Sequence, residues 1–102
     1  MVTVTPKAQA MLRELLDQAA PDVTMIRIFV HGFGWGGPNF GMSLEETEEM
    51  GDTVVESSGF KFLLDPQAMK YAQGAVVDYR KTIFGKGFSI KTNHSSQCWI
   101  IN

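Results

Sequence analysis

Cysteine is almost absent from this chain, which has one, Cys98, in 102 residues. A single thiol excludes an intramolecular disulfide, so the fold cannot depend on covalent cross-links. A chain of this length buries enough apolar surface to fold without disulfides or a structural metal. The scarcity of cysteine also fits a reducing compartment, and we expect the protein to reside in the cytoplasm.

Basic clusters and long apolar runs are also missing. Nine Lys and Arg residues stand against eleven Asp and Glu residues, which gives a net charge of −2 and a pI near 5.6. Because nucleic-acid binding draws on clustered basic side chains, we expect no nucleic-acid partner. No apolar stretch approaches the roughly 20 residues that cross a bilayer, and the N-terminus lacks a signal-peptide pattern, so we expect no membrane partner. Four of the acidic residues fall at 45–49, which we expect to form a solvated connector.

The chain does contain short segments in which apolar and polar residues alternate, separated by turn residues. This pattern indicates β-strands. Two helices are predicted at 6–19 and 66–71, because Thr5 and Asp65 are N-cap residues, each followed by proline at the first helical position. The alternations predict about seven short strands, at residues 2–4, 25–30, 40–44, 53–56, 60–64, 75–81 and 87–91. The sequence therefore predicts a single, mainly β domain with two α-helices.

Five of the ten glycines lie between residues 31 and 42, directly after a predicted strand. Such density weakens regular structure, so we expect a loop whose backbone takes unusual dihedral angles or approaches another group closely. Gly32, Gly34 and Gly37 match the G-x-G-x-x-G spacing of dinucleotide-binding loops, in which a helix N-terminus receives the pyrophosphate. Here Pro38 leads into a predicted strand and no helix follows, which argues against a phosphate site.

Four local motifs, taken in order, resemble the HesB-like or A-type iron–sulfur carrier (IscA-like) family. They are the glycine loop at 34–42, Gly-Phe-Lys-Phe-Leu-Leu-Asp-Pro at 59–66, Ala-Val-Val-Asp-Tyr at 75–79 and Gly-Phe-Ser-Ile-Lys-Thr-Asn at 87–93. The resemblance covers nearly the whole chain and begins with its opening strand, Thr-Pro pair and helix. It implies one HesB-like domain over residues 1–102, a compact β-sandwich or barrel-like fold, with a flexible C-terminal tail from about residue 92.

The resemblance also implies a role in iron–sulfur cluster biogenesis, in which the protein binds iron or a cluster and transfers it without acting as an enzyme. The implied partners are iron–sulfur assembly or recipient proteins and a second copy in a homodimer. In the family, one cysteine in the glycine loop and two in a C-terminal Cys-Gly-Cys hold the cluster. Carried over, the loop cysteine falls on Trp35, while Cys98 keeps the first tail position and Trp99 and Ile100 occupy the next two.

Cys98 is therefore the candidate metal ligand and cofactor-binding residue, and Trp35 marks a second cofactor-binding position whose indole nitrogen is only a hydrogen-bond donor. A cluster takes four ligands, so one chain cannot hold it alone. A symmetric dimer would bring two thiolates, leaving two positions for His31, His94 or an external thiol such as glutathione. The alternative is an unligated Cys98 thiol and no bound metal. A thiol–redox enzyme is disfavoured because the chain has no second, resolving cysteine.

Two hypotheses account for tryptophan at position 35. In the first, the scaffold serves as a non-catalytic binding or regulatory module, and Phe33, Trp35 and Phe40 form an aromatic interaction loop, with Trp99 as a further member. The competing structural interpretation has this loop folded back on the core. In the second hypothesis, residue 35 is natively cysteine or selenocysteine, because the tryptophan codon differs by a single base from both cysteine codons and from the stop codon that can specify selenocysteine.

Overall fold

The computed structural model describes residues 2–35, 37–83, 85–92 and 96–99. Its helices are α1 (Pro6–Gln18) and α2 (Pro66–Tyr71). Its strands are β1 (Val2–Val4), β2 (Met25–Gly34), β3 (Gly37–Glu45), β4 (Thr53–Ser57), β5 (Phe60–Leu64), β6 (Ala75–Thr82), β7 (Gly85–Lys91) and β8 (Ser96–Trp99). The mainly β class with two helices is confirmed. Of the helices in these ranges, none has the length and apolar character needed to span a bilayer.

The strands form two four-stranded sheets. The first sheet has the order β1-β6-β7-β8, with β1 parallel to β6 and antiparallel pairing elsewhere. The second sheet has the order β3-β2-β5-β4, with β2 parallel to β5 and antiparallel pairing elsewhere. At one corner the Ser57 hydroxyl donates to the Val2 carbonyl oxygen at 2.6 Å, which joins the edge strands β4 and β1. Across the described ranges these are two separate sheets, as in a sandwich rather than a closed barrel.

Strand β8 is a difference from the sequence prediction. Ser96–Trp99 pair antiparallel with β7, although the sequence assigns them to a flexible tail. The edge of β7 offers backbone hydrogen-bonding groups that a neighbouring segment can satisfy, which accounts for this pairing, and the flexibility of the tail from about residue 92 stays a prediction. The strand that carries Cys98 therefore belongs to the first sheet.

Both helices begin where the sequence predicts. The Thr5 hydroxyl accepts a hydrogen bond from the Ala8 backbone N–H at 3.3 Å, and the Asp65 carboxylate accepts one from the Ala68 N–H at 2.7 Å. Proline follows each cap at the first helical position, where its missing N–H has no helical partner to lose. The Thr5 hydroxyl also donates to Asp78 Oδ1 at 2.7 Å, so the same side chain caps α1 and ties it to β6.

Both sheets and α1 bury apolar side chains in one core. Ile26 and Ile28 of β2, which the alternation assigns to one face, are completely buried. Leu12 of α1 and Ile90 of β7 are completely buried in the same cluster. Burying a side chain of this size stabilises the fold by roughly 1.5–3 kcal/mol, so this shared interior is the main source of stability.

Arg27 lies on the opposite side of β2 from Ile26 and Ile28, yet it is only 9% exposed. Its guanidinium forms a bidentate pair with Asp52, in which Nη1 donates to Oδ1 and Nη2 to Oδ2, both at 2.7 Å. The Asp52 side chain is 2% exposed, so the two charges are largely shielded from water. Such planar, two-bond geometry is the strongest form of ion pair available to arginine.

The acidic connector is only partly solvated. Residues 46–49 are exposed, as the sequence predicts, but Glu45 Oε2 lies 3.8 Å from Arg27 Nε. The Glu49 backbone N–H donates to Asp52 Oδ2 at 2.7 Å, which ties the connector to Arg27 through Asp52. The hydrogen bonds from Arg27 lower the pKa of Asp52 below its ordinary value, against the opposing effect of burial, and the Glu49 N–H adds to the lowering.

Replacing the buried carboxylate should cost stability in a pH-dependent way. Asp52→Asn should lower the free energy of unfolding at pH 7 by about 3 kcal/mol, because it removes the carboxylate that pairs with the buried Arg27 through two hydrogen bonds and leaves only Glu45, 3.8 Å away. Since the pKa of Asp52 is depressed in the folded state, its contribution is present above the ordinary carboxyl pKa and is lost as the pH falls through the depressed value. The difference between parent and variant should therefore narrow below about pH 4, as measured by urea unfolding over a pH series.

Glu48→Gln is the matched control, because Glu48 is an exposed carboxylate of the same connector. Its removal should change the free energy of unfolding by less than about 0.5 kcal/mol. An equal loss in both variants, or a parent–variant difference that stays constant down to low pH, would contradict the role assigned to the Arg27–Asp52 pair.

Candidate functional site

The glycine-rich segment is a β-hairpin rather than a loop. Strand β2 continues to Gly34 and β3 begins at Gly37, so only residues 35 and 36 stand between them. The pairing Gly32↔Asn39, Phe33↔Pro38 and Gly34↔Gly37 extends the ladder almost to the turn, with a shift of register between Val30 and Gly32. The prediction of a glycine loop ahead of the strand at 40–44 is therefore wrong, because cross-strand pairing outweighs the weak strand propensity of glycine.

One glycine of this hairpin is required for packing. A Cβ atom placed on Gly41 would lie 2.6 Å from Phe29 Cζ, so the Phe29 ring lies directly over the Gly41 backbone. Gly41 pairs with Phe29 across the two strands. The Phe29 ring in turn meets the His31 ring edge-on, with centroids 6.4 Å apart. This face of the hairpin is thus organised by an aromatic ring that only glycine accommodates.

The tip of the hairpin presents aromatic side chains to solvent. Trp35 is fully exposed and Phe33 is 57% exposed. The Phe33 ring meets the Tyr71 ring of α2 edge-on at a centroid distance of 5.4 Å, and Lys70 Nζ lies 5.5 Å from the centre of the Tyr71 ring. Phe33 therefore ties the hairpin to α2, while Trp35 stands beyond that contact.

Phe40 requires a correction. The sequence assigns it to an exposed interaction loop with Phe33 and Trp35, but its side chain is completely buried in the core. The physical reason is register: Phe40 pairs with Val30 on the face of β3 that points inward, next to the pair of Met42 with Ile28. Of the three aromatic residues, Phe33 and Trp35 share the tip and Phe40 does not.

The candidate ligands are distributed over two sheets. Cys98 lies on β8, at the edge of the first sheet, and His31 is exposed on β2 of the second sheet. Strands β8 and β3 are in contact, so the Cys98 strand runs beside the hairpin. His94 lies outside the described residues. Within the described part of the chain, no group of three or more His, Cys, Asp and Glu side chains could hold a metal ion.

The model of a family described as "Iron-sulphur cluster biosynthesis" matches residues 1–101 of this chain. The chain belongs to that family. The resemblance inferred from the four motifs is therefore confirmed, and the match includes both Trp35 and the tail that carries Cys98.

Individual members of the iron–sulphur cluster biosynthesis family show how far the likeness extends. The chain is 37% identical over 95 residues to the iron–sulfur cluster insertion protein ErpA of Marinobacter nauticus, covering 92% of this chain and 86% of that protein. It is 39% identical over 88 residues to an uncharacterized protein in the nifU 5′ region of Cereibacter sphaeroides, covering 86% and 83% of the two chains. The crystal structure of IscA with a [2Fe-2S] cluster superposes with a TM-score of 0.77 at 23% identity, covering 91% of this chain and 86% of that chain. These likenesses confirm the fold and the family.

Ser89 of β7 is a polar residue at this site that sequence reasoning missed. It is 1% exposed, and its Oγ has no hydrogen-bond partner. The register places it between Asp78 of β6 and Cys98 of β8. The sequence carries no signal for its burial, since a serine between Phe88 and Ile90 fits the alternation of a strand with one exposed face.

Asp78 is held by hydrogen bonds of its own. Its Oδ1 accepts from the Thr5 hydroxyl at 2.7 Å and from the Tyr79 backbone N–H at 2.8 Å. The Thr5 hydrogen bond lowers the pKa of Asp78, burial opposes this, and the Tyr79 N–H and the positive charges of Arg80 and Lys7 add to the lowering. Asp78 is thus an ionised anchor between α1 and β6.

A methyl group at position 41 tests the hairpin packing. Gly41→Ala should destabilise the fold by about 1–3 kcal/mol, because the new Cβ forces the Phe29 ring out of its place. The penalty should be smaller when Phe29 is already alanine, which a double-mutant cycle in urea unfolding measures. Gly34→Ala is the matched control, since a Cβ there meets Asn39 at an ordinary 3.5 Å. Equal penalties at positions 41 and 34 would overturn this account.

Proposed function

We propose that this chain handles iron or an iron–sulfur cluster as cargo during cluster biogenesis, receiving it from assembly proteins and passing it to recipient proteins. The observation that carries the proposal is the family match over residues 1–101, in a chain that keeps one thiol in the family's C-terminal ligand motif. Thiolate is the ligand that iron in clusters prefers. Cys98 is the proposed metal ligand, and the role is that of a carrier rather than an enzyme. The proposed location is the cytoplasm.

The donor set of one copy does not fit a complete cluster site. One thiol supplies a single ligand of the four that a cluster takes, and no three-residue ligand group forms among the described residues. We therefore propose that two copies share the cargo, each contributing Cys98. The remaining positions go to His31, which is exposed on the hairpin, or to an external thiol such as glutathione. His94 is a further proposed ligand.

Anaerobic reconstitution tests the carrier proposal. The protein incubated with iron, sulfide and glutathione should develop visible sulfur-to-iron charge-transfer bands, because thiolate ligation to iron produces them. Cys98→Ser should abolish the bands, and size-exclusion chromatography should show the loaded protein at the size of two copies. Two changes then distinguish the candidate sources of the remaining ligands. Loss of the bands in His31→Ala would point to His31, and their loss when glutathione is omitted would point to the external thiol.

Ser43→Ala is a suitable control, because it removes a hydroxyl from the second sheet and leaves Cys98 in place. It should keep the bands. A parent chain that acquires no chromophore, or a Cys98→Ser variant that acquires the same one, would refute the carrier function of this chain.

The identity of residue 35 decides how many metal ligands each copy supplies. We propose, as the alternative to a native tryptophan, that the native gene encodes cysteine or selenocysteine at this position. The exposed position at the hairpin turn supports this proposal, because a small ligating side chain fits there without displacing a neighbour. Sequencing the native gene decides it: a tryptophan codon at position 35 removes the idea.

A second candidate function is favoured by the exposed aromatic tip. Under this proposal the scaffold is a non-catalytic protein-binding or regulatory module that uses Trp35 and Phe33. Tryptophan is among the residues that most often anchor protein interfaces, and here it is presented on a paired hairpin rather than folded back on the core.

Trp35→Ala tests this second function. It should weaken binding to an assembly or recipient protein by about tenfold or more, as expected for an interface anchor, with unchanged urea unfolding because the side chain is fully exposed. Surface-immobilised binding against purified assembly and recipient proteins measures the effect. Met50→Ala removes an equally exposed side chain from the connector and should leave binding unchanged. Equal affinities of parent and Trp35→Ala would exclude the tip as the anchor.

A further inference from the structure

A groove separates α1 from strands β6 and β7. Its lining is mainly apolar, with Met11 and Leu15 on the helix side and Phe88 on the sheet side. The groove has two parts, of about 260 Å³ and about 360 Å³, which both lie against Tyr79. A space of this size can receive several side chains of another molecule.

Three lysines make this a basic groove: Lys7 and Lys81 line one part and Lys86 lines the other. All three are exposed, and no carboxylate of the described residues lies within ion-pair distance of their ammonium groups. Glu14 is the acidic residue that the described chain adds to the lining, so positive charge predominates. Unpaired charges of one sign gathered around a groove attract a partner of opposite charge.

The acidic connector carries the complementary charge. Glu46, Glu48 and Glu49 are exposed, and no basic side chain of the described residues lies within ion-pair distance of their carboxylates. The other carboxylates of this region are engaged with Arg27. The described chain thus presents three unpaired carboxylates on one short segment and three unpaired ammonium groups around one groove.

The basic groove and the connector lie near each other in one copy. Gln18 at the end of α1 lines the groove, and six residues later the Thr24 N–H donates to the Glu45 carbonyl oxygen at 3.2 Å. Six residues span at most about 21 Å, so both surfaces can face the same neighbouring molecule. A second copy related by a two-fold axis would then place its connector in this groove and receive this connector in its own. Such a contact is closed, because each copy uses the same pair of surfaces.

We propose that the basic groove is a docking surface for the acidic connector of a second copy of this chain. The lysines of the groove meet the connector carboxylates of the second copy, and the apolar lining excludes water from these charge pairs, which strengthens them. Complementary charge also selects this pairing over groove-to-groove and connector-to-connector contacts, in which like charges meet.

The consequence for cargo rests on the proposed carrier function. Phe88, which lines the groove, pairs with residue 99 of β8, so the strand that carries Cys98 borders the docking surface. In the pair, the β8 strands of both copies therefore flank the same interface. This arrangement suits a cargo shared between two copies. The docking itself needs no metal and is tested without one.

Sedimentation velocity of the metal-free chain tests the docking. The parent should form a two-copy species in about 50 mM NaCl and lose most of it in about 500 mM NaCl, because salt screens exposed charge pairs. Reversing the groove charge with Lys81→Glu/Lys86→Glu should weaken the association at least about tenfold, and reversing the connector charge with Glu46→Lys/Glu49→Lys should do the same.

Mixing the two charge-reversed variants distinguishes lost docking from lost folding. The first variant has an acidic groove and an acidic connector, and the second has a basic groove and a basic connector. Each should remain a single copy alone, whereas an equimolar mixture should form mixed pairs in which every groove faces a connector of opposite charge. Variants that fail to fold would not recover in this way.

Lys61→Glu/Lys91→Glu is the matched control, because it makes the same change of net charge at exposed lysines outside the groove lining. It should keep the association of the parent. A groove or connector variant that associates as the parent does, or a mixture that stays monomeric, would overturn the proposal. A parent that sediments as one copy in low salt would also overturn it and would point to an acidic segment of another protein as the occupant.

Reconstitution keeps this inference apart from the proposed function. A parent that pairs without metal but acquires no chromophore refutes the carrier function and leaves the docking surface intact. A parent that acquires the chromophore but forms no metal-free pairs refutes the docking surface and leaves the carrier function intact. Where both hold, Lys81→Glu/Lys86→Glu should acquire less chromophore than the parent, and the equimolar mixture of the two charge-reversed variants should recover it.

Discussion

Two-sided pairing of strand β2 is the constraint on which the rest of the structure depends. It pairs antiparallel with β3 and parallel with β5, and its Ile26 and Ile28 are completely buried. Because the N-terminal half of β2 is held in the core, the C-terminal half, which continues to Gly34, places the hairpin tip in solvent. The same register sends Phe40 into the core and leaves Trp35 in solvent, so two aromatic residues of one glycine-rich segment have opposite environments.

Polar contacts between distant segments complete this arrangement. Arg27 joins β2 to the acidic connector through Asp52, and Thr5 joins α1 to β6 through Asp78. In both cases a carboxylate is kept ionised by the group that it binds, which is why its pKa lies below the ordinary value. These links fix elements against each other in addition to the shared apolar core.

The small number of metal-ligating side chains, rather than the fold, limits how this family member can bind a cluster. The fold and the family match extend over almost the whole chain, whereas the thiols are reduced to Cys98. The proposed sharing of cargo between two copies, or with external thiols, would reconcile the complete scaffold with the incomplete ligand set.

Interactions between residues close together in the sequence determine where the helices begin and that the fold is mainly β. The caps at Thr5 and Asp65, the prolines after them and the alternation through Ile28 act over a few residues, so the sequence predicts the helix starts, the mainly β class and the family without reference to distant contacts. The tertiary structure decided the rest. Arg27 meets a carboxylate 25 residues away, Gly32 becomes part of a strand by pairing with Asn39, and Ser96–Trp99 become β8 along β7. In each case the stabilising partner lies on another segment, so no local pattern in the sequence encodes it.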